Sequence, residues 1–197
     1  VENIKNSDVM AANSTFGDIN GSTWDQRYKD LGIQWKTKVR GTATNQQGLP
    51  YKAWVQNRLN PSQDANGVIW LQPLKANWKV FDHWDKDNAI ATRDKTINLA
   101  VPSYKSSPYA VAAQVETSVD KMLGYITDGT KDETVSFDNE DIGSYVLNLA
   151  VPYIADPEAM DPQIAAEWKA LCRAYHDALA KMSAESKIFT FNITTVS

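Results

Sequence analysis

The chain has 197 residues, is 43% hydrophobic and carries a formal net charge of -4. That length suits one domain with its own core, the apolar fraction excludes general disorder, and the mild charge gives no bulk attraction to DNA, RNA or an anionic membrane. A lone cysteine, Cys172, excludes an intramolecular disulfide and points to a reducing compartment, and no run of about 18 apolar residues marks a membrane-spanning helix.

Residues 1–22 are polar, rich in Asn, Ser, Gly and Asp, and without sustained periodicity. They read either as a frayed terminus or as an arm that orders on a neighbouring subunit, with Val9, Met10 and Phe16 as anchors. Strand patterns follow. Ile33, Trp35, Thr37 and Val39 alternate with polar residues, and Tyr51, Ala53 and Val55 alternate again. Asp64 to Gly67 reads as a turn. Val68 to Leu71 is continuously apolar, as in a strand buried on both faces, and further strands are expected over Trp78–Trp84 and Thr96–Val101. Six of the seven tryptophans lie in this region, where large aromatics would carry much of the burial of a sheet.

The second half turns helical. Ser107-Pro108 is a start signal, followed by Val111, Val115, Val119, Met122 and Ile126 at helical spacing. An acidic loop then runs to Asp141, and a second helix is expected over about Ile142–Val151, limited by Pro152. Asp161-Pro162 starts a third helix with the apolar stripe Ile164, Trp168, Leu171, Tyr175, Leu179 and Met182. Phe189, Phe191 and Ile193 alternate in a last strand over Ile188–Val196. The expected fold is α+β: a mostly antiparallel sheet packed against two or three helices, with an extended N-terminal arm, divided as an arm at 1–22 and a single domain at 23–197. The five residues Asn98–Pro102 recur as Asn148–Pro152, too short an echo to establish a repeat.

The residues that could carry chemistry are few. The two histidines are His83 and His176. Cys172 and His176 stand four apart and share a helical face, as an activated thiolate would require, but Cys172 also borders the apolar stripe and reads as a core residue. Asp82-His83-Trp84-Asp85-Lys86-Asp87-Asn88 is the densest polar cluster. It lacks the glycine and distant glutamate of a calcium loop and reads as a solvated strand end, with His83 kept as a general base in an unfamiliar site. The carboxylates from Asp132 to Asp141 read as a solvated loop. No phosphate-binding glycine loop and no serine-hydrolase elbow is present, so no catalytic, cofactor-binding or metal-ligating residue is assigned and no cofactor is expected.

Charge is divided along the chain. Arg27, Lys29, Lys36, Lys38, Arg40, Lys52 and Arg58 crowd the stretch from Trp24 to Asn60, while acids dominate from Asp128 to Asp161. Complementary faces of this kind would set the register of a head-to-tail ring. The stretch Asp141–Leu147 through Ala150, Tyr153 and Asp156, then Ala165–Trp168 to Tyr175–Leu179, resembles the paired C-terminal helices of bacteriophage head-to-tail adaptor proteins. The resemblance covers about 45 residues, and the chain departs from those adaptors in opening with a polar arm and strands. It implies a structural subunit of a phage particle, at the neck, tail or another part of the virion. Such a subunit would act through homo-oligomers and contacts with other structural proteins, with no nucleic-acid partner and no membrane span. Two alternatives stand beside it: a surface or secreted carbohydrate-binding module using exposed Trp and Tyr, and an enzyme with an unrecognised site near His83 or Cys172.

Overall fold

The computed structural model describes Ile33, residues 48–99, Ser107, and residues 109–152 and 162–196. The arm expected at residues 1–22 and most of the strand expected from Ile33 to Val39 lie outside these residues. Among the described residues, ten elements follow in chain order: α1 (Leu49–Leu59), β1 (Ile69–Trp70), β2 (His83–Asp85), β3 (Ile90–Thr96), α2 (Tyr109–Leu123), β4 (Thr127–Gly129), β5 (Ser136–Asp138), β6 (Ser144–Pro152), α3 (Pro162–Ala184) and β7 (Ile188–Val196).

The α+β class holds, but the sheet is mixed. Its order is β1-β2-β3-β6-β7; β1, β2 and β3 pair antiparallel, whereas β3-β6 and β6-β7 are parallel. Parallel neighbours need crossovers, and α2 with the β4-β5 hairpin, then α3, supply them. The strand expected from Tyr51 is helix α1 instead. Pro50 sits in its first turn, and Tyr51 and Val55, four apart, are its buried residues, so a short alternation was really one helical face. The helix expected over Ile142–Val151 is strand β6. It lies between two parallel partners, and a strand covered on both faces reads as a continuous apolar run rather than an alternating one. Val68–Leu71, read as doubly buried, yields only the two-residue edge strand β1. The strand expected over Trp78–Trp84 shrinks to β2, and the one expected at Thr96–Val101 lies earlier, as β3. Helix α3 and strand β7 stand where the periodicity put them; helix α2 does so as far as Leu123, and Ile126, expected on its stripe, is exposed beyond its end.

The sheet separates two apolar layers of unequal size. Leu147, Leu149, Phe191 and Ile193 face α2 and α3 in the main core, and Tyr51, Val55 and Ala150 form a small cluster under α1. Aromatics tie the hairpin to the sheet: Phe137 of β5 stacks on Trp84 at 4.3 Å and on Trp78 at 5.9 Å, and Phe81 meets Tyr125 edge-on at 5.0 Å. Lys75 adds an ion pair to Asp128 at 2.5 Å. Of the tryptophans expected to carry the sheet's burial, Trp84 is buried, and Trp54, Trp70 and Trp78 are half-buried. Because Phe137 is buried among four other rings, Phe137→Ala should lower stability by about 3–5 kcal/mol, read from the midpoint of urea unfolding at unchanged slope. A loss below about 1 kcal/mol would show that the hairpin is not part of the core.

Candidate active site

Charged residues rarely enter a central strand unless they are paired or hydrogen-bonded. Strand β3 carries three in succession, Arg93, Asp94 and Lys95, and the first two are buried. Side chains alternate along a strand, so Arg93 and Lys95 share one face and Asp94 takes the other. The site grows from that division.

On the α1 face, Asp94 anchors a string of buried polar groups. Its Oδ2 lies 2.6 Å from His83 Nε2, and its Oδ1 accepts a hydrogen bond from Asn148 Nδ2 at 2.9 Å. Asn148 Oδ1 in turn accepts from Asn192 Nδ2 at 2.9 Å. Asp94, Asn148 and Asn192 are in register across β3, β6 and β7, which makes the string one row of the sheet. At its other end, His83 Nδ1 stands 2.7 Å from Gln56 Oε1 of α1. His83 and Asn148 are fully buried, and Asp94 and Asn192 nearly so. Tyr51 faces the same row. Burial first, and then the Asp94 charge, push its hydroxyl far above the ordinary tyrosine range, with Thr194 opposing, so the phenol stays neutral.

The partners fix where protons lie. Gln56 Nε2 donates to Val68 O at 2.8 Å, so Oε1 must be the atom facing His83 and must accept. His83 therefore carries a proton on Nδ1. A second proton has to lie between Nε2 and Asp94 Oδ2, because two bare lone pairs 2.6 Å apart would repel. Burial pushes the Asp94 carboxyl above its usual range, while the His83 charge and hydrogen bonds pull it down. The pair as a whole is neutral, as a buried site in low dielectric requires.

On the opposite side of this string stands Asp82, just before β2. Its Oδ2 accepts a hydrogen bond from the Asp94 backbone N–H at 2.7 Å, and its Oδ1 meets Lys52 Nζ of α1 at 2.6 Å. Arg93 donates to Val80 O, and Val80 adopts a left-handed φ of 67°, a conformation costly for a β-branched residue. Burial lowers the Arg93 guanidinium from its ordinary value, with Asp82 and Asp94 opposing. Lys95 is half-buried. Burial, with the Arg93 charge adding, brings its ammonium down to about 8, against the pull of Asp82; Lys121 and Lys52 also repel it. One carboxylate, Asp82, is thus set among Lys52, Arg93 and Lys95, and burial brings one of those cations down to about 8.

Among the described residues, no three His, Cys, Asp or Glu side chains come together as a metal ion would need. Asp82 offers one carboxylate, and Asp94 is taken on both oxygens.

The chain matches the family model of the CDI toxin restriction endonuclease-like domain over residues 47–193. The chain belongs to this family. It is similar to deoxyribonuclease CdiA-o11 of Escherichia coli O157:H7 (strain EC869), 25% identical over 148 residues, which cover 74% of this chain and 34% of the relative. The chain thus spans about a third of the length of that curated relative. Among solved structures it is similar to the CdiA-CT/CdiI toxin and immunity complex from Yersinia pseudotuberculosis, with a TM-score of 0.53 and 17% identity, covering 75% of this chain and 99% of that one. At that identity the likeness carries the fold alone.

The family match overturns the phage-adaptor resemblance, and with it the virion location, the homo-oligomeric ring and the structural-protein partners. The resemblance rested on a helix pair, and its first member, Asp141–Leu147, leads into strand β6. The expectation of no nucleic-acid partner fails with it, since the curated relative is a deoxyribonuclease. Of the residues weighed from the sequence, Cys172 is on the buried face of α3 in the main core, and His176 is exposed on that helix. Neither lies with Asp82. The Asp82–Asn88 cluster, read as solvated, is split: Asp82 and His83 are buried in the site, and only Lys86, Asp87 and Asn88 form the exposed turn. Sequence reasoning missed Arg93, Asp94 and Lys95, although three charges between Ala91 and Ile97 were a usable signal. No helix of the described residues is long and apolar enough to cross a membrane.

The proton assignment can be checked by nitrogen-resolved NMR. His83 Nδ1 should appear as a protonated, hydrogen-bonded nitrogen, with a downfield proton on the Asp94 side. A neutral ring with Nδ1 bare would contradict the placement of Gln56.

Proposed function

We propose that this chain is a toxin nuclease domain that hydrolyses phosphodiester bonds of DNA at the Asp82, Arg93, Lys95 and Lys52 cluster. The observation that carries the reading is the position of Lys95: a half-buried amine whose ammonium is brought down to about 8, on the same strand face as Arg93 and within electrostatic reach of Asp82. Perturbed groups of this kind gather where a proton must be moved. The family match and the curated relative's name support nuclease chemistry and DNA as the substrate class.

In this mechanism the phosphate enters beside Lys52 and Arg93, which balance the negative charge that grows on its oxygens as water attacks. Asp82, itself oriented by the Asp94 amide and Lys52, accepts a hydrogen bond from the attacking water. Lys95, as the free amine, takes the water's proton. A new P–O bond forms, one ester P–O bond breaks, and the departing oxygen is protonated from solvent.

A cognate immunity protein is the second partner in this reading, by analogy with the toxin and immunity complex that shares the fold. The chain divides into an arm at 1–22 and a domain at 23–197 in this reading, which is supported by a family match that falls wholly within the second segment.

Lys95 gives the test. Deprotonation populates the amine as pH rises through about 8, so the cleavage rate should climb towards that pH and level off above it. Lys95→Arg keeps the charge but cannot yield its proton, and should slow cleavage by about 10²–10⁴-fold and abolish the climb. Full activity in Lys95→Arg would show that only the charge matters and would remove the base from the mechanism.

A further inference from the structure

We propose that the buried string Gln56–His83–Asp94–Asn148–Asn192 is the positioning device of this site, with His83 as its key residue; this rests on the nuclease reading. None of its members is placed to touch DNA. His83 is 0% exposed and Asp94 3%, and both are enclosed between the sheet and α1. Their link to the chemistry is indirect and specific. The Asp94 N–H holds Asp82 Oδ2 at 2.7 Å, so wherever the Asp94 backbone stands, the Asp82 carboxylate follows. The Asp94 side chain is fixed from both sides, by His83 of β2 and Asn148 of β6. Its neighbours Arg93 and Lys95 point to the other face by strand alternation, so one anchored side chain sets the direction of the two cations.

A polar row is a demanding way to fill such a layer. Amides and a histidine–carboxylate pair must be stripped of water, and this is repaid only if each partner is present and well placed. Apolar residues of similar size would pack the layer with less constraint. The row makes its bonds between side chains at one separation of β2, β3, β6 and β7, and Gln56 extends it to α1. Lys52 lies on the same helix, so the string also fixes where the cation that pairs with Asp82 stands. His83 is thus a positioning residue, not the general base its sequence context suggested.

The test compares His83→Leu, which removes both donors, with His83→Gln, whose amide keeps a donor near the Nε2 position. Duplex DNA cleavage by the wild-type chain is measured first; if it is absent, the nuclease reading itself has failed. With wild-type cleavage in hand, His83→Leu should lower kcat by about 10²-fold with KM within about threefold, because about 1 Å of misplacement costs that much. His83→Gln should recover kcat to within about threefold of wild type. Should His83→Leu fail to fold, Asn192→Ala replaces it, and its kcat should fall by about tenfold at unchanged KM, as the end of the string is loosened. A folded variant with wild-type kcat, or His83→Gln as slow as His83→Leu, overturns the proposal.

Discussion

The contact between His83 Nε2 and Asp94 Oδ2, 2.6 Å long and fully buried, is the constraint on which the rest of the structure turns. It joins the antiparallel half of the sheet to the parallel half, since β2 pairs antiparallel with β3 and β3 parallel with β6. Gln56 carries it to α1, and Asn148 and Asn192 carry it across to β7. A buried pair of this kind is weak as a source of stability and strong as a source of uniqueness. Breaking one partner strands a charge or a lone pair, at about 3–5 kcal/mol, whereas the intact pair gains little over an apolar filling. The layer under α1 is therefore defined by hydrogen bonds, while the layer under α2 and α3 is defined by packing.

That asymmetry explains why the site sits where it does. The main core, with Trp84, Leu147, Leu149 and Phe191, holds the sheet rigid from one side. The polar row then fixes the strands from the other. Asp82, Arg93 and Lys95 lie at the junction, where β2 meets β3 and where Val80 is forced into a left-handed turn. Strain and burial are tolerated there because both neighbouring layers over-determine the backbone.

The legible parts of the sequence were those with a single clean period. Helix α3 and strand β7 are long, their apolar residues recur at helical or alternate spacing, and each meets the sheet or core on one face. Helix α1 and strand β6 were misread for opposite reasons. In α1, Tyr51 and Val55 also satisfy an alternating pattern, and a short helix with two buried residues leaves little else to read. In β6, both faces are covered, so the alternation that marks a strand is absent and the apolar run passes for a helix. The candidate site was half legible. Asp82 and His83 stood out as a polar cluster, but their partners Asp94, Asn148 and Asn192 lie 11 to more than 100 positions away and meet only through sheet pairing. The lack of a familiar motif said nothing against catalysis, because this constellation is assembled by register rather than by local spacing.

Treating the chain as a nuclease domain makes Asp82 the carboxylate around which the cations are organised, and a single isosteric change isolates it. Supercoiled plasmid incubated with the wild-type chain and with Asp82→Asn, both shown folded by circular dichroism, tests that claim most directly. The wild-type chain should nick and linearise the plasmid, and Asp82→Asn should leave it supercoiled. Equal cleavage by both proteins, or none by the wild-type chain, would contradict the account.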